Sequence, residues 1–175
     1  KKLMTTSCCP SFVAFVEKNF PELVPYISHS LSPMNWAARM IKATDPTAKV
    51  VFIGPCASKK MEFKLEKTEG LIDSVMSFEE LQAFVDALGI DTTQCEDTEL
   101  DNASFYGRIF ARSGGSAHGV VDVAKDLGVD VVVPVAMNGI EECRKNLLML
   151  RAKKATANCF EGMACEGGCV NGPLC

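Results

Sequence analysis

Five of the nine cysteines fall in three short segments that lie far apart along the sequence. Cys8 and Cys9 are adjacent, Cys56 follows a Gly-Pro pair, and Cys165 and Cys169 are separated by Glu-Gly-Gly. Each segment adjoins a predicted helix or strand, so that a loop can direct a thiolate at a shared centre. Proteins hold iron–sulfur clusters in this way, with four thiolates that converge from loops of one fold. The cysteine positions therefore predict a redox protein.

Length and composition indicate one α/β domain, or one lobe of a larger one. The chain has 175 residues, of which 47% are hydrophobic, enough for a core that needs no disulfides. The net charge is −4 with no basic tract, so nucleic acid is not expected as a partner, and no apolar run is long enough for a membrane span. The odd cysteine count is unlike a secreted disulfide framework and favours thiolates on a metal in the cytoplasm.

The first cysteine segment is predicted to lie at the start of a helix. Apolar residues on one face predict a helix from Pro10 to about Tyr26, which Pro21 or Pro25 ends. The positive end of the helix dipole would then lie beside the two adjacent cysteines. We expect it to favour their thiolate forms.

Alternating strands and helices predict a parallel β-sheet flanked by helices. The apolar run Lys49–Ile53 predicts a buried parallel strand that ends just before Cys56, at the sheet edge where ligands bind in this architecture. Ser77 and Glu80 predict a capping box at the start of a helix closed by Gly89. Three further helices are predicted, from Ser32 and Pro33 through Ile41, through Val120 and Leu127, and over Ile140–Leu150. The other predicted strands are Leu71–Met76, Phe105–Ala111, Val129–Val135 and Ala155–Phe160.

Two glycine-containing segments are candidate ligand-binding loops. Arg112–Ser116 contains a glycine pair between a predicted strand and helix, where backbone N–H groups can approach an anionic ligand. Glu161–Cys175 is rich in glycine and cysteine, has no periodicity, and carries Cys165 and Cys169. These two cysteines could instead be buried structural residues, and Cys56 alone could be a small core residue.

Taken together, the three cysteine segments resemble the three signature loops of the catalytic domain of iron-only ([FeFe]) hydrogenases. The matching residues are Thr6–Pro10, Pro55–Glu62 and Glu161–Cys169, and the resemblance covers nearly the whole chain. The family implies a [4Fe–4S] cluster joined through one cysteine to a diiron subsite with carbon monoxide, cyanide and a bridging dithiolate amine, together the H-cluster. It also implies the reaction 2H⁺ + 2e⁻ ⇌ H2, with ferredoxin or accessory iron–sulfur domains as electron partners.

The resemblance implies a role for each matching residue. Cys8 would be a proton-relay thiol, Lys59 would bond a cyanide, and Met163 would pack against the diiron unit. Cys169 would bridge the two parts of the cofactor. The implied cubane ligands are Cys9, Cys56, Cys165 and Cys169. The other residues expected on the proton path or at the cofactor are Ser28, Glu62, Ser32, Pro33, Ser113, Gly114 and Gly115.

Several positions depart from the usual family pattern. Gly54 stands where catalytic members usually have methionine, Met34 where glutamine is common, and Val170–Pro173 replaces a glycine-rich tail. These departures resemble divergent branches that include H2 sensors. The family's domain also extends upstream of the first loop, so we expect this chain to be one lobe of a longer hydrogenase polypeptide.

Two other interpretations of the cysteines stay open. One is a hydrogenase-like iron–sulfur protein without the diiron subsite, which acts in cluster binding or assembly. The other is a structural zinc site made by the same cysteines. Cys8, Lys59 and Met163 favour the hydrogenase, since only a diiron unit would need them.

Overall fold

The computed structural model describes residues 3–99, 103–129 and 131–175 and has the predicted α/β fold. Within these ranges the strands are β1 (Met4–Thr5), β2 (Val51–Ile53), β3 (Ser74–Met76), β4 (Pro134–Asn138) and β5 (Cys159–Met163). The helices are α1 (Pro10–Asn19), α2 (Pro33–Thr44), α3 (Lys59–Glu62), α4 (Phe78–Ala87), α5 (Phe105–Ile109), α6 (Gly115–Asp126) and α7 (Ile140–Arg151). None of the helices described there is long and apolar enough to cross a membrane.

The strands form two parallel sheets rather than one. Strand β5 is the centre of a three-stranded sheet of order β1-β5-β4, in which Cys159 pairs with both Met4 and Pro134. Strands β2 and β3 form the second sheet. Since neighbouring parallel strands end at the same edge, the loops that follow β1 and β5 lie side by side.

The main core lies between the three-stranded sheet and the helices α1 and α7. Phe12 and Val16 of α1 and Leu147 of α7 are almost fully buried against Phe160 of β5. Burial of each such side chain contributes about 1.5–3 kcal/mol. Because side chains alternate along a strand, the residue after Phe160 points to the opposite face, toward α6. A smaller core joins Met34 and Ala38 of α2 to Ile72 and Val75.

Helix starts are the best-predicted features. Pro33 begins α2 directly after Ser32, and α7 covers the predicted range with one further residue. The capping box of α4 is confirmed, because the Ser77 hydroxyl accepts from the Glu80 N–H and the Glu80 carboxylate accepts from the Ser77 N–H.

The predicted strand Phe105–Ala111 is wrong, because residues Phe105–Ile109 form α5. Ser104 caps this helix by accepting a hydrogen bond from the Gly107 N–H at 3.2 Å. Tyr106 then reaches across to hydrogen-bond the Asp122 carboxylate of α6. The apolar pattern of this segment serves contacts between two helices rather than a sheet.

The predicted strand Val129–Val135 is also wrong in its position, and Asp130 within it lies outside the described residues. Strand β4 begins at Pro134 instead. The Asn158 side chain accepts from the Val133 N–H at 2.7 Å and donates to the Val131 carbonyl. It thereby occupies backbone groups that a strand neighbour would need.

Two further predictions are corrected in part. Helix α1 ends at Asn19, and Pro21–Tyr26 is a 3₁₀ turn, because Pro21 disfavours helical geometry at Phe20. Strand β2 is parallel, as predicted, but it is not buried, because β3 is its only strand neighbour in the described chain. The side chains of its two outer residues are 48% and 39% exposed.

Candidate metal centre

Each cysteine segment follows the C-terminal end of a parallel strand, which the sequence predicts only for Cys56. Cys8 and Cys9 follow β1, and Cys9 is the N-cap residue of α1. Cys56 follows β2, and Cys165 follows β5. Backbone dipoles and loop N–H groups at this edge suit anionic ligands, which is why ligands bind there in open α/β sheets.

The structure brings the four predicted ligand cysteines together. The pKa of Cys169 is raised to about 11. Burial is the largest cause, and the negative charges of Cys9 and Cys56 contribute to the same rise. Burial followed by the same two charges also raises the pKa of the Cys165 thiol. Cys165 and Cys169 therefore both lie within electrostatic reach of Cys9 and Cys56, and negative charge on these sulfurs without a cation is unfavourable.

The sulfurs are close without converging on one point. All nine cysteines are in the described ranges, and each is a free thiol. Among the described residues, no group of three or more His, Cys, Asp or Glu side chains is arranged to hold a single metal ion.

Close backbone contacts fix the third cysteine loop in place. A Cβ atom on Gly162 would lie 2.3 Å from ring carbons of Phe12, and one on Gly168 would lie 2.5 Å from the Ala111 carbonyl oxygen. The Leu174 N–H donates to the Pro55 carbonyl at 3.2 Å, which joins the third loop to the second. The glycines are therefore required by close packing.

Cys8 lines a cavity of about 590 Å³ together with Thr6, Ser28 and Ser116. Burial is the main cause that raises the pKa of its thiol, and the hydroxyls of Thr6 and Ser116 act in the opposite direction. The sequence predicts that the α1 dipole lowers this pKa, whereas the net shift is upward because of burial.

Lys59 and Glu62 form a buried ion pair beside the cysteines. Both residues are 7% exposed, and the Lys59 Nζ lies 2.6 Å from a Glu62 carboxylate oxygen. The same Nζ donates to the Cys8 carbonyl at 3.2 Å. Its charge acts on Cys169, where it opposes the rise in pKa. Lys59 therefore links the first and second loops and places a positive charge at the thiol cluster.

The remaining predicted site residues lie either at the cavity of Cys8 or in the protein interior. Ser28 and Pro33 line the cavity of Cys8, and the Ser28 hydroxyl accepts from the Ser30 N–H. Ser32 is buried, and its hydroxyl accepts from the Asn35 amide at 3.1 Å. Met163 is 2% exposed and belongs to the main core, which also contains Cys9.

The glycine pair of the 112–116 loop does approach an anion, but the anion is Glu161 of the protein itself. The Gly114 N–H donates to one carboxylate oxygen of this fully buried residue, and the N–H and hydroxyl of Ser116 donate to the other. The Ser113 and Gly115 N–H groups bond to carbonyls of Gly167 and Arg112. None of these backbone donors is available to a ligand. A cofactor contact by Ser113, Gly114 and Gly115 stays a prediction, and it would have to be made by atoms other than these N–H groups.

Sequence reasoning missed both Glu161 and Ser116. The sequence does contain a usable signal. Glu161 is a charged residue within the apolar segment Phe160–Met163, and the glycine-rich 112–116 loop precedes a helix that could bind it. A buried carboxylate without a cation needs several N–H donors, and a helix N-terminus offers them.

Known proteins resemble this chain in sequence and in fold. The family profile described as "Iron only hydrogenase large subunit, C-terminal domain" matches residues 1–173. Iron hydrogenase 1 of Clostridium pasteurianum is 30% identical over 97% of this chain and 37% of its own length. The cytosolic Fe-S cluster assembly factor NAR1 of Kluyveromyces lactis is 38% identical over 85 residues, which are 49% of this chain and 18% of its own length.

The structural similarity has the same extent. A variant of [FeFe]-hydrogenase HydA1 from Chlamydomonas reinhardtii superposes with a TM-score of 0.75 at 22% identity, over 99% of this chain and 62% of its own. The chain thus spans less than two thirds of the length of each of these relatives. With a profile match over nearly its whole length, the chain belongs to the family of the C-terminal domain of the iron-only hydrogenase large subunit.

Proposed function

We propose that this domain holds an H-cluster and takes part in reversible H2 oxidation and proton reduction. The observation that carries the proposal is that Cys9 and Cys56 both act electrostatically on Cys165 and on Cys169, with the buried Lys59 charge beside them. In this arrangement the four cysteines would ligate a [4Fe–4S] cluster, and Cys169 would also bridge to a diiron subsite.

The donor set fits such a cofactor. Burial and neighbouring cysteine charges raise the pKa values of Cys165 and Cys169, so these thiols gain strongly from iron, which replaces their protons and removes the repulsion. When bound, the cofactor supplies the electron transfer and the H2 activation.

The residues of this chain would carry the proton and hold the anionic ligands. Cys8 lines a cavity, burial raises the pKa of its thiol, and it would relay a proton. Lys59 would bond a cyanide while Glu62 balances its charge, and Met163 would pack against the diiron unit. Ser28 shares the cavity of Cys8 and would continue the proton path, with Glu62 near it.

The second candidate function is iron–sulfur binding or assembly without a diiron subsite. It is favoured by the 38% sequence identity to NAR1, which exceeds the 30% identity to the hydrogenase but covers only 49% of the chain. An H2-sensing role is a variant of the first candidate. We further propose that the domain works with the rest of a longer polypeptide and with ferredoxin or accessory iron–sulfur domains, in the cytoplasm.

The test is the infrared spectrum of anaerobically purified, maturated full-length protein. Bands of iron-bound carbon monoxide and cyanide are expected. Their absence, with iron and sulfide present, would refute the diiron subsite and support the assembly function, whereas zinc in place of iron would refute both.

A matched pair of variants tests the ligand set. Cys165→Ser should lower iron per chain, because it removes one of the four proposed ligands. Cys95→Ser should leave it unchanged, because Cys95 is exposed and distant in sequence from the three loops. Equal iron in both variants would contradict the assignment.

A further inference from the structure

The turn between Cys165 and Cys169 is held at its middle residue, Gly167. The Gly167 N–H donates to the Asn138 side-chain oxygen at 2.6 Å, and the Gly167 carbonyl accepts from the Ser113 N–H at 3.1 Å. Gly167 lies two residues from each cysteine, so contacts that fix it limit where both thiols can point. The proposed function gives no role to the Asn138 bond.

The backbone of Asn138 is itself fixed to its neighbours. Asn138 ends β4 in register with Met163, the last residue of β5, and the Gly139 N–H donates to the Met163 carbonyl at 2.9 Å. The Asn138 N–H donates to the Glu142 carboxylate in the first turn of α7, also at 2.9 Å. Because parallel strands end at one edge of a sheet, the residue that ends β4 lies beside the loop that follows β5. The Asn138 side chain therefore reaches the cysteine turn from a rigid support.

The Ser113 side of the turn has a support of its own. Glu161 of β5 binds the 112–116 loop through its buried carboxylate. At the base of this loop, the Ala111 carbonyl accepts from the Val170 N–H at 3.2 Å. The bonds from this side to the turn are made by backbone atoms, so a side-chain substitution does not remove them. The bond from the β4 side is made by a side chain, and substitution removes it cleanly.

We propose that Asn138 is a positioning residue, which presets the turn that carries Cys165 and Cys169 before any metal binds. Gly167 is held from two supports, the end of β4 and the 112–116 loop, so the turn has one shape in the metal-free protein. Ligands that folding has already ordered bind more tightly than ligands that binding must order. The consequence for an iron–sulfur cluster rests on the proposed function, whereas the shape of the turn does not.

Residue-resolved hydrogen exchange of the metal-free full-length protein tests the shape of the turn. The Gly168 and Val170 N–H groups donate to the Cys165 and Ala111 carbonyls, and neither bond involves Asn138. Asn138→Ala should nevertheless speed exchange of both amides roughly fivefold, which is the effect of one hydrogen bond of ordinary strength. Asn138→Asp keeps an acceptor oxygen at the same reach and should restore the wild-type rates.

Asn19→Ala is the matched control. Asn19 is also an exposed asparagine, and its side chain donates one hydrogen bond, to the Phe15 carbonyl at 2.9 Å within α1. This variant should leave the exchange of both turn amides unchanged. Wild-type exchange in Asn138→Ala would overturn the inference. Fast exchange that persists in Asn138→Asp would also overturn it, because the acceptor oxygen would then not be what matters.

Iron retention connects the turn to the proposed function. In full-length protein reconstituted anaerobically with ferrous iron and sulfide, Asn138→Ala should lose iron to a chelator roughly fivefold faster than wild type and Asn19→Ala. Equal iron loss despite faster amide exchange would overturn the positioning role. If wild type takes up no iron, the proposed function fails, while the hydrogen-exchange result still supports or overturns the preset turn.

Discussion

Replacement of the buried carboxylate by an amide, Glu161→Gln, should destabilise the domain strongly. The amide oxygen will take the position that receives three hydrogen bonds, so the NH2 group will face the Gly114 N–H. An unsatisfied donor costs about 1–3 kcal/mol. Loss of the negative charge at the start of α6 costs about 1 kcal/mol, and the remaining bonds lose part of their charge-assisted strength. We expect a total loss of about 3 kcal/mol.

Urea unfolding of wild type and variant, followed by circular dichroism, measures this loss. With a slope of about 2 kcal/mol per molar urea, the midpoint should fall by roughly 1.5 M. The control is Glu166→Gln, the same change at an exposed position of the same loop, which should change stability by less than about 0.5 kcal/mol. Equal midpoints for the two variants would refute the view that α6 binds an ionised Glu161.

Three other measurements test separate parts of the structure. Asp73→Asn should lower the urea midpoint at pH 7, because a backbone N–H and two lysines hold the pKa of this carboxyl below its ordinary 3.8. The difference in midpoint from wild type should narrow as pH falls below that value, and a constant difference would contradict the assignment. Gly162→Ala should cost about 1–3 kcal/mol in the same assay, because its Cβ would meet the Phe12 ring, and an unchanged midpoint would show that the ring can move away. Iodoacetamide at pH 8 should label exposed Cys95 but not Cys143, whose pKa burial raises to about 12; mass spectrometry gives the sites, and rapid labelling of Cys143 in folded protein would contradict its burial.

Local signals explain why some elements could be predicted from the sequence. Pro10 and Pro33 mark helix starts because proline lacks an N–H that the first turn does not use. The capping box at Ser77 is made by residues three apart, so its partners are visible in the sequence. The resemblance of the three cysteine loops places them correctly for the same reason, because each motif is contiguous.

The failures are long-range effects. The valine-rich run before Pro134 is displaced from the sheet by Asn158, whose amide lies 27 positions from the Val131 carbonyl that it binds. The glycine pair of the 112–116 loop was expected to face a ligand, and its anion proved to be a side chain 47 positions away from Gly114. Local composition cannot reveal either partner.

The pairing of β1 with β5 limits when the metal centre can form during synthesis. The Gly162 N–H bonds to the Thr6 hydroxyl across 156 positions of sequence, and this contact sets the first and third cysteine loops side by side. Contacts of such high sequence separation form late, and a ribosome adds about 5–20 residues per second. The first loop must therefore wait roughly 8–30 s after its own synthesis before its partner strand exists. Until then Cys8 and Cys9 lack that partner, so the proposed cluster could be inserted only after β5 has been synthesised.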